Sequence, residues 1–161
     1  MNPRRADLTR KTRETDITLS LALDGTGRAE VRTGIGFLDH LLATLCRHAH
    51  FDATLTCQGD LDVDDHHTAE DCALALGQAV DQCLGDRAGI ARFGSAYAPL
   101  DEALARAAVD FSGRPFAAVD LGLTRDAIGG LAAENVTHVL VSLATMEKPT
   151  LHQDISLPPR K

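Results

Sequence analysis

The stretch Asp64-Asp65-His66-His67-Thr68-Ala69-Glu70 is the chain's densest concentration of groups able to do chemistry. It lies where an acidic loop runs into a segment with helical periodicity. His66 and Glu70 are four residues apart, and His67 and Glu70 three. On a helix both spacings bring side chains to one face, as metal ligands require. Adjacent helical residues diverge by about 100°, so His66 and His67 are expected to reach two different metals, or one metal and one partner. Imidazole with carboxylate and no thiolate suits manganese, iron or zinc. The plainer alternative is capping: Asp64 or Asp65 as N-cap, with Glu70 in the favourable first turn. Capping by one aspartate is compatible with metal binding.

Other candidates are weaker alone. His40 follows Asp39 at the start of a predicted helix, after a glycine-rich turn. Alone it reads as a core or capping histidine. Arg92, in Ile90-Ala91-Arg92-Phe93-Gly94, and Arg114, in Ser112-Gly113-Arg114-Pro115, stand in or beside turns. An arginine on a turn can present its fork to a phosphate or simply be solvated. Glu14, just before the first predicted strand, would by itself be an ordinary surface carboxylate. His48, His50 and His152 have no supporting context and read as solvent-facing or locally hydrogen-bonded.

The elements that must position these residues follow from periodicity. Ile17, Leu19, Leu21 and Leu23 alternate with polar residues, predicting a half-buried strand after a polar, basic stretch over residues 1–14. Asp24-Gly25-Thr26-Gly27 is a turn. Ala29 and Val31 carry a second strand. Phe37, Leu38, Leu41, Leu42 and Leu45 mark a helix, Phe51 to Cys57 a strand, and Ala69 to Leu84 an amphipathic helix. The first half thus reads β-β-α-β-α. The second has strands around Ala107–Phe111 and Ala117–Leu121, a helix through Val136–Leu143 and a strand at Thr150–Ile155, or β-β-α-β. The halves also align in detail. Asp-His-Leu-Leu-Ala-Thr-Leu at residues 39–45 matches Thr-His-Val-Leu-Val-Ser-Leu at 137–143, pairing His40 with His138. Histidines at equivalent places suggest a shared, pseudo-symmetric site. The expectation is an α+β fold built from a duplicated β-β-α-β-α half-domain, the second copy lacking its final helix. Residues 1–86 form the first half-domain and residues 87–161 the second, incomplete one, together one compact domain. The paired prolines in Leu157-Pro158-Pro159-Arg160-Lys161 bar a helix there.

Composition narrows the function classes. The chain has 161 residues, 44% hydrophobic, with 23 acidic against 16 basic residues and a net charge of -7. That is enough apolar material for a core. The acidic balance and 4% aromatic content argue against nucleic-acid and anionic-membrane partners. No apolar run has membrane-spanning length, and the N-terminus has no apolar signal core. Cys46, Cys57, Cys72 and Cys83 lack CxxC spacing and read as buried free thiols. These features point to the cytoplasm.

The ordered set of motifs resembles the imidazoleglycerol-phosphate dehydratases of histidine biosynthesis. The matching stretches are Arg13-Glu14-Thr15, Asp24-Gly25-Thr26-Gly27, TGIGFLDHLL at 33–42 and GDLDVDDHHTAEDCALALGQA at 59–79. ARFGSAYAPLDEAL at 91–104, VDFSGRPF at 109–116, Gly129-Gly130 through Asn135, Thr137-His138 and Leu151-His152 continue the series. The resemblance implies a duplicated α+β half-domain in a 24-subunit shell, with active sites between subunits that hold two manganese ions. The implied reaction removes water from imidazole glycerol phosphate to give imidazole acetol phosphate, the metals holding the ring as imidazolate. It also implies that His40, His66, His67, Glu70 and His138 are metal ligands. Arg92 and Arg114 would bind substrate through its phosphate, and Glu14 would move the proton.

Departures from the family pattern matter. Family chains carry a second His-His-x-x-Glu motif and then a Ser/Thr-Lys segment. The 26-residue spacing from His40 to His66 would place that motif beyond residue 161. Thr137 also stands where the family usually has glutamate. Two alternatives therefore accompany the dehydratase reading. One is a catalytically impaired homologue acting as a metal-binding or assembly scaffold. The other is a metal-dependent phosphoesterase, because Asp65-His66-His67 superficially resembles the motif of the DHH class.

Overall fold

The computed structural model describes residues 4–156, and residues 157–161, with the paired prolines, lie outside the described range. The order is β1 (Arg5–Lys11), β2 (Thr15–Ala22), β3 (Ala29–Arg32), α1 (Gly36–Ala49), β4 (Asp52–Gly59) and α2 (His66–Leu84). Then come β5 (Phe93–Leu100), β6 (Ala103–Asp110), β7 (Phe116–Asp120), β8 (Ala127–Ile128), β9 (Leu131–Ala132), α3 (Ala133–Glu147) and β10 (Thr150–Ser156).

Two four-stranded sheets form, ordered β1-β2-β4-β3 and β5-β6-β10-β7. These are one topology written twice. In each, the third strand runs parallel to the last and the other pairs are antiparallel. The α+β duplication expected from the sequence is therefore present, with two corrections. The polar pattern of residues 1–14 predicts no strand, yet β1 pairs with β2 from Arg5↔Ala22 to Lys11↔Asp16. The second half gains the equivalent strand, β5, paired with β6 from Phe93↔Asp110 to Leu100↔Ala103. Both are edge strands. An edge strand needs apolar residues on at most one face, and β1 offers only Ala6 and Leu8 there.

A third difference lies between β7 and α3. β6 begins 88 residues after β2, at 103 against 15, whereas β10 begins 98 after β4, at 150 against 52. The extra ten residues fall where the small β8–β9 hairpin has been inserted into the second copy.

α2 is the central element. Ala69, Cys72, Ala73, Ala75, Leu76, Ala79, Val80 and Cys83 are buried along it, between the first sheet and α3. Small residues let the helices approach closely. A Cβ on Gly77 would stand 2.5 Å from the Leu143 carbonyl oxygen. This packing brings the N-terminal turn of α2 alongside that of α3. Cys46, Cys72 and Cys83 are buried and Cys57 half-buried, all as free thiols. No helix among the described residues is long and apolar enough to cross a membrane.

Candidate metal centre

The start of α2 is held from both sides. Asp64 accepts the His66 backbone N–H at 2.9 Å. Asp65 occupies the N-cap position but makes no side-chain capping bond. Its carboxylate instead accepts the Ala132 N–H at 2.6 Å, tying the inserted hairpin to the mouth of α2. Asp64 thus serves the local turn, whereas Asp65 joins the two halves. On the other side, a Cβ on Gly59 would fall 1.9 Å from the Thr68 hydroxyl oxygen. Only glycine lets the end of β4 pass so near the first turn of α2, and it sets Asp60 beside His67.

With α2 and α3 so placed, His66, Glu70 and His138 converge, their ligand atoms all within 4.8 Å of one another. His66 Nε2 lies 3.6 Å from one Glu70 oxygen and His138 Nε2 lies 3.2 Å from the other. The two imidazole rings stack at 5.0 Å between centroids. His66 Nδ1 lies 3.0 Å from the Asn135 side-chain oxygen, which can only accept. That bond puts the His66 proton on Nδ1 and turns the Nε2 lone pair toward Glu70. His138 Nε2 is buried and, although 3.2 Å from that Glu70 oxygen, makes no hydrogen bond to it. An imidazole nitrogen that makes no hydrogen bond, a second imidazole lone pair and a carboxylate facing one another suit a cation. The donor set of two imidazoles and one carboxylate suits a divalent metal, and an outer-shell amide orienting one ligand is what metal sites carry.

His67 diverges as its helix position requires. Its ring is 5.8 Å from that of His66 at an interplanar angle of 64°, and it is not part of the triad. Its Nδ1 meets Asp60 at 2.9 Å. That hydrogen bond raises the His67 pKa above the ordinary imidazole range; desolvation opposes the rise, and the charges of Asp60, Glu14 and Asp64 add to it. Glu14, half-buried in the turn between β1 and β2, is thus near enough for its charge to act on His67.

The remaining candidates lie apart from the triad. His40 is exposed on α1, stacked on Phe37 at 6.5 Å. It lines a groove of about 790 Å³ with Arg28, Glu30, Thr44 and Arg47. Arg92 is paired to Asp110 by two bonds of 2.6 and 2.9 Å and lies 4.9 Å over the Phe93 ring. Arg114 is exposed nearby. The Arg92 hydrogen bond holds the Asp110 carboxyl below its usual range, and the Arg114 charge adds to this. His48, His50 and His152 are exposed. Two residues that sequence patterning does not single out belong to the centre: Asp60, behind His67, and Asn135, behind His66. Asn135 had one available signal, its i−3 position relative to His138 on one helix face.

The family model described as imidazoleglycerol-phosphate dehydratase matches residues 33–157, which include the triad, His40 and both arginines. The chain belongs to the imidazoleglycerol-phosphate dehydratase family. It is 53% identical over 150 residues to the imidazoleglycerol-phosphate dehydratase of Chlorobium luteolum, covering 93% of this chain and 75% of that protein. With the Phytophthora nicotianae protein of that name it shares 55% identity over 152 residues. That match covers 94% of this chain, which spans about a third (34%) of that relative's length. Among solved structures, the dehydratase of Staphylococcus aureus superposes with a TM-score of 0.84 at 28% identity, covering 97% of this chain and 86% of the other. The Pyrococcus furiosus dehydratase gives 0.79 at 32% identity, covering 94% and 80%. The two arginines and the triad therefore lie within one family-matched segment, whereas Glu14 precedes it.

Proposed function

We propose that this chain is a manganese-dependent imidazoleglycerol-phosphate dehydratase, converting imidazole glycerol phosphate to imidazole acetol phosphate in the histidine pathway of the cytoplasm. The observation that carries the reading is the convergence of His66, Glu70 and His138, whose buried Nε2 faces Glu70 without hydrogen-bonding it, in a chain of that family. When bound, the metal supplies Lewis-acid polarisation of the substrate's imidazole ring. The chain's own residues do the rest. His66 and His138 offer neutral nitrogen donors and Glu70 a carboxylate, while Asn135 holds His66 in the tautomer that donates. Asp60 orients His67, a further ligand. Arg114 receives the substrate phosphate through its guanidinium fork, and Arg92 adds the guanidinium edge that Asp110 does not engage. Glu14 takes the proton from the substrate's carbon chain and delivers it to the departing hydroxyl, which leaves as water and returns Glu14 to its carboxylate.

His40 is the pseudo-symmetric counterpart of His138 but, among the described residues, joins no imidazole–carboxylate cluster. In this reading it ligates a second metal at a site shared between copies, in a homo-oligomer of the 24-subunit kind. The test is manganese-dependent formation of imidazole acetol phosphate from imidazole glycerol phosphate by the purified chain, with loss of activity in His138→Ala.

The separation of His40 from the triad favours one second reading, a metal-binding or assembly scaffold without turnover. A folded, metal-loaded sample that binds one ion per chain and forms no product would establish that alternative.

A further inference from the structure

Asp71 is a buried carboxylate that the centre does not use. It directly follows Glu70 on α2 and so points about 100° away from it. It is 8% exposed, and its Oδ2 accepts the Thr15 hydroxyl at 2.5 Å and the Thr12 hydroxyl at 3.4 Å. The Arg10 guanidinium pairs with the same oxygen at 2.5 Å. Burying a carboxylate is costly unless it is paired and hydrogen-bonded. Its neighbours Cys72, Ala73 and Ala75 pack as small apolar groups, so packing alone does not call for a charge here.

All three partners belong to the β1–β2 turn or its approach, and two of them bracket Glu14. The Thr12 hydroxyl accepts the backbone N–H of Glu14 at 3.1 Å and of Thr15 at 2.9 Å. Thr12 N–H donates to the Thr15 carbonyl at 2.9 Å, closing the turn. The two threonine hydroxyl oxygens are 3.1 Å apart, and Thr15 is 3% exposed. The turn is thus internally closed and fastened to α2 through one carboxylate.

We infer that Asp71 is a positioning residue: it ties the turn carrying Glu14 to the helix carrying His66, His67 and Glu70, so that one joint sets the proton-moving carboxylate against the ligands. Two adjacent residues of one helix divide the work. Glu70 faces the centre and Asp71 faces the turn. This rests on the reading of Glu14 as the proton-moving group, and the test separates the two.

The clean variant is Thr15→Val, which removes the hydroxyl and leaves α2 unaltered. Because misplacing a reacting group by about 1 Å costs up to about 100-fold, kcat should fall by about tenfold. KM and manganese affinity should each change by less than about twofold. Thr15→Ser, which keeps the hydroxyl, should restore kcat. In a Glu14→Gln background the same Thr15→Val change should have no further effect on kcat. An equal fall in both backgrounds would overturn the inference, since a merely structural lesion acts whether or not Glu14 is present. A second measurement needs no turnover. In Asp71→Asn, hydrogen exchange at the Glu14 and Thr15 amides should quicken by about tenfold, while the α2 amides keep their protection. Unchanged exchange there overturns the joint itself. A parent chain with no activity but with this exchange pattern would leave the joint standing and remove the dehydratase reading.

Discussion

In the first half, α2 lies across β1, β2 and β4 and takes Ile17, Leu19 and Leu21 to 1% exposure or less. In the second half the same strand order recurs, but α3 packs on β7 and no helix among the described residues makes an extended contact with β5 or β6. Every residue of β5 is exposed, with Phe93 at 70%, Tyr97 at 66% and Leu100 at 75%. The repeat therefore reproduces strand pairing, which local alternation and backbone hydrogen bonds specify. It does not reproduce burial, which needs a covering helix. The histidines teach the same lesson. His138 has α2 against its helix and meets His66 and Glu70, whereas His40, at the equivalent place on α1, faces an open groove. Equivalent sequence gives equivalent backbone, and the chemistry comes from what packs on it.

The largest effect should separate those two histidines. His138→Ala should weaken divalent-metal binding by about 100-fold or more, since it removes a ligand outright. His40→Ala should leave the first metal equivalent bound as in the parent. Calorimetric titration with manganese checks both, and equal losses would break the comparison. Next in size is the core itself. Leu19→Ala, in the covered sheet, should cost about 3 kcal/mol in denaturant unfolding. Tyr97→Ala, in the uncovered sheet, should stay within about 0.5 kcal/mol. A large loss at Tyr97 would mean that β5 is covered in solution, by another molecule.

Much of this is legible in the sequence because it is local. The four-residue spacing of His66 and Glu70 defines a ligand pair on any helix, and the alignment of His40 with His138 exposes the duplication. The strands with a buried alternating face, β2 and β4, are likewise readable. What escapes is tertiary or weakly patterned. β1 and β5 are edge strands with little apolar alternation. Asp60 and Asn135 acquire meaning only when the end of β4, at Gly59, passes against the first turn of α2 and α3 lies against α2. Asp65 reads in sequence as a cap, but the inserted hairpin offers the Ala132 N–H, and the carboxylate goes there instead. The division of labour between His66 and His67 follows from helix geometry, and their rings do diverge.

The joint between the halves gives a smaller expected effect. Gly77→Ala places a methyl 2.5 Å from the Leu143 carbonyl oxygen and 2.9 Å from Met146 Cβ. The first neighbour is backbone and cannot rotate aside, so α3 must shift. Overpacking of this kind costs about 1–3 kcal/mol. Because α3 carries His138, metal affinity should fall along with stability. A variant with lower thermal stability but unaltered metal affinity would show that the α2–α3 contact does not set the centre.

The smallest effect concerns Glu147, at the other end of the same joint. It borders a small apolar pocket with Leu45, Phe51, Leu76, Val80 and Leu143. Burial raises its pKa from 4.5 to about 7, with Arg87 opposing and Asp81 adding to the rise. The folded state therefore holds this proton more tightly than the unfolded chain does. The resulting stability is fully present below about pH 4.5 and is lost as pH rises through about 7. After allowance for partial solvent access, this slope should amount to about 1 kcal/mol between pH 5 and pH 8. Glu147→Gln, which stays neutral, should flatten it in unfolding curves measured across that range. A slope that survives the substitution would place the titrating group elsewhere and leave Glu147 ionised and solvated at the edge of the interface.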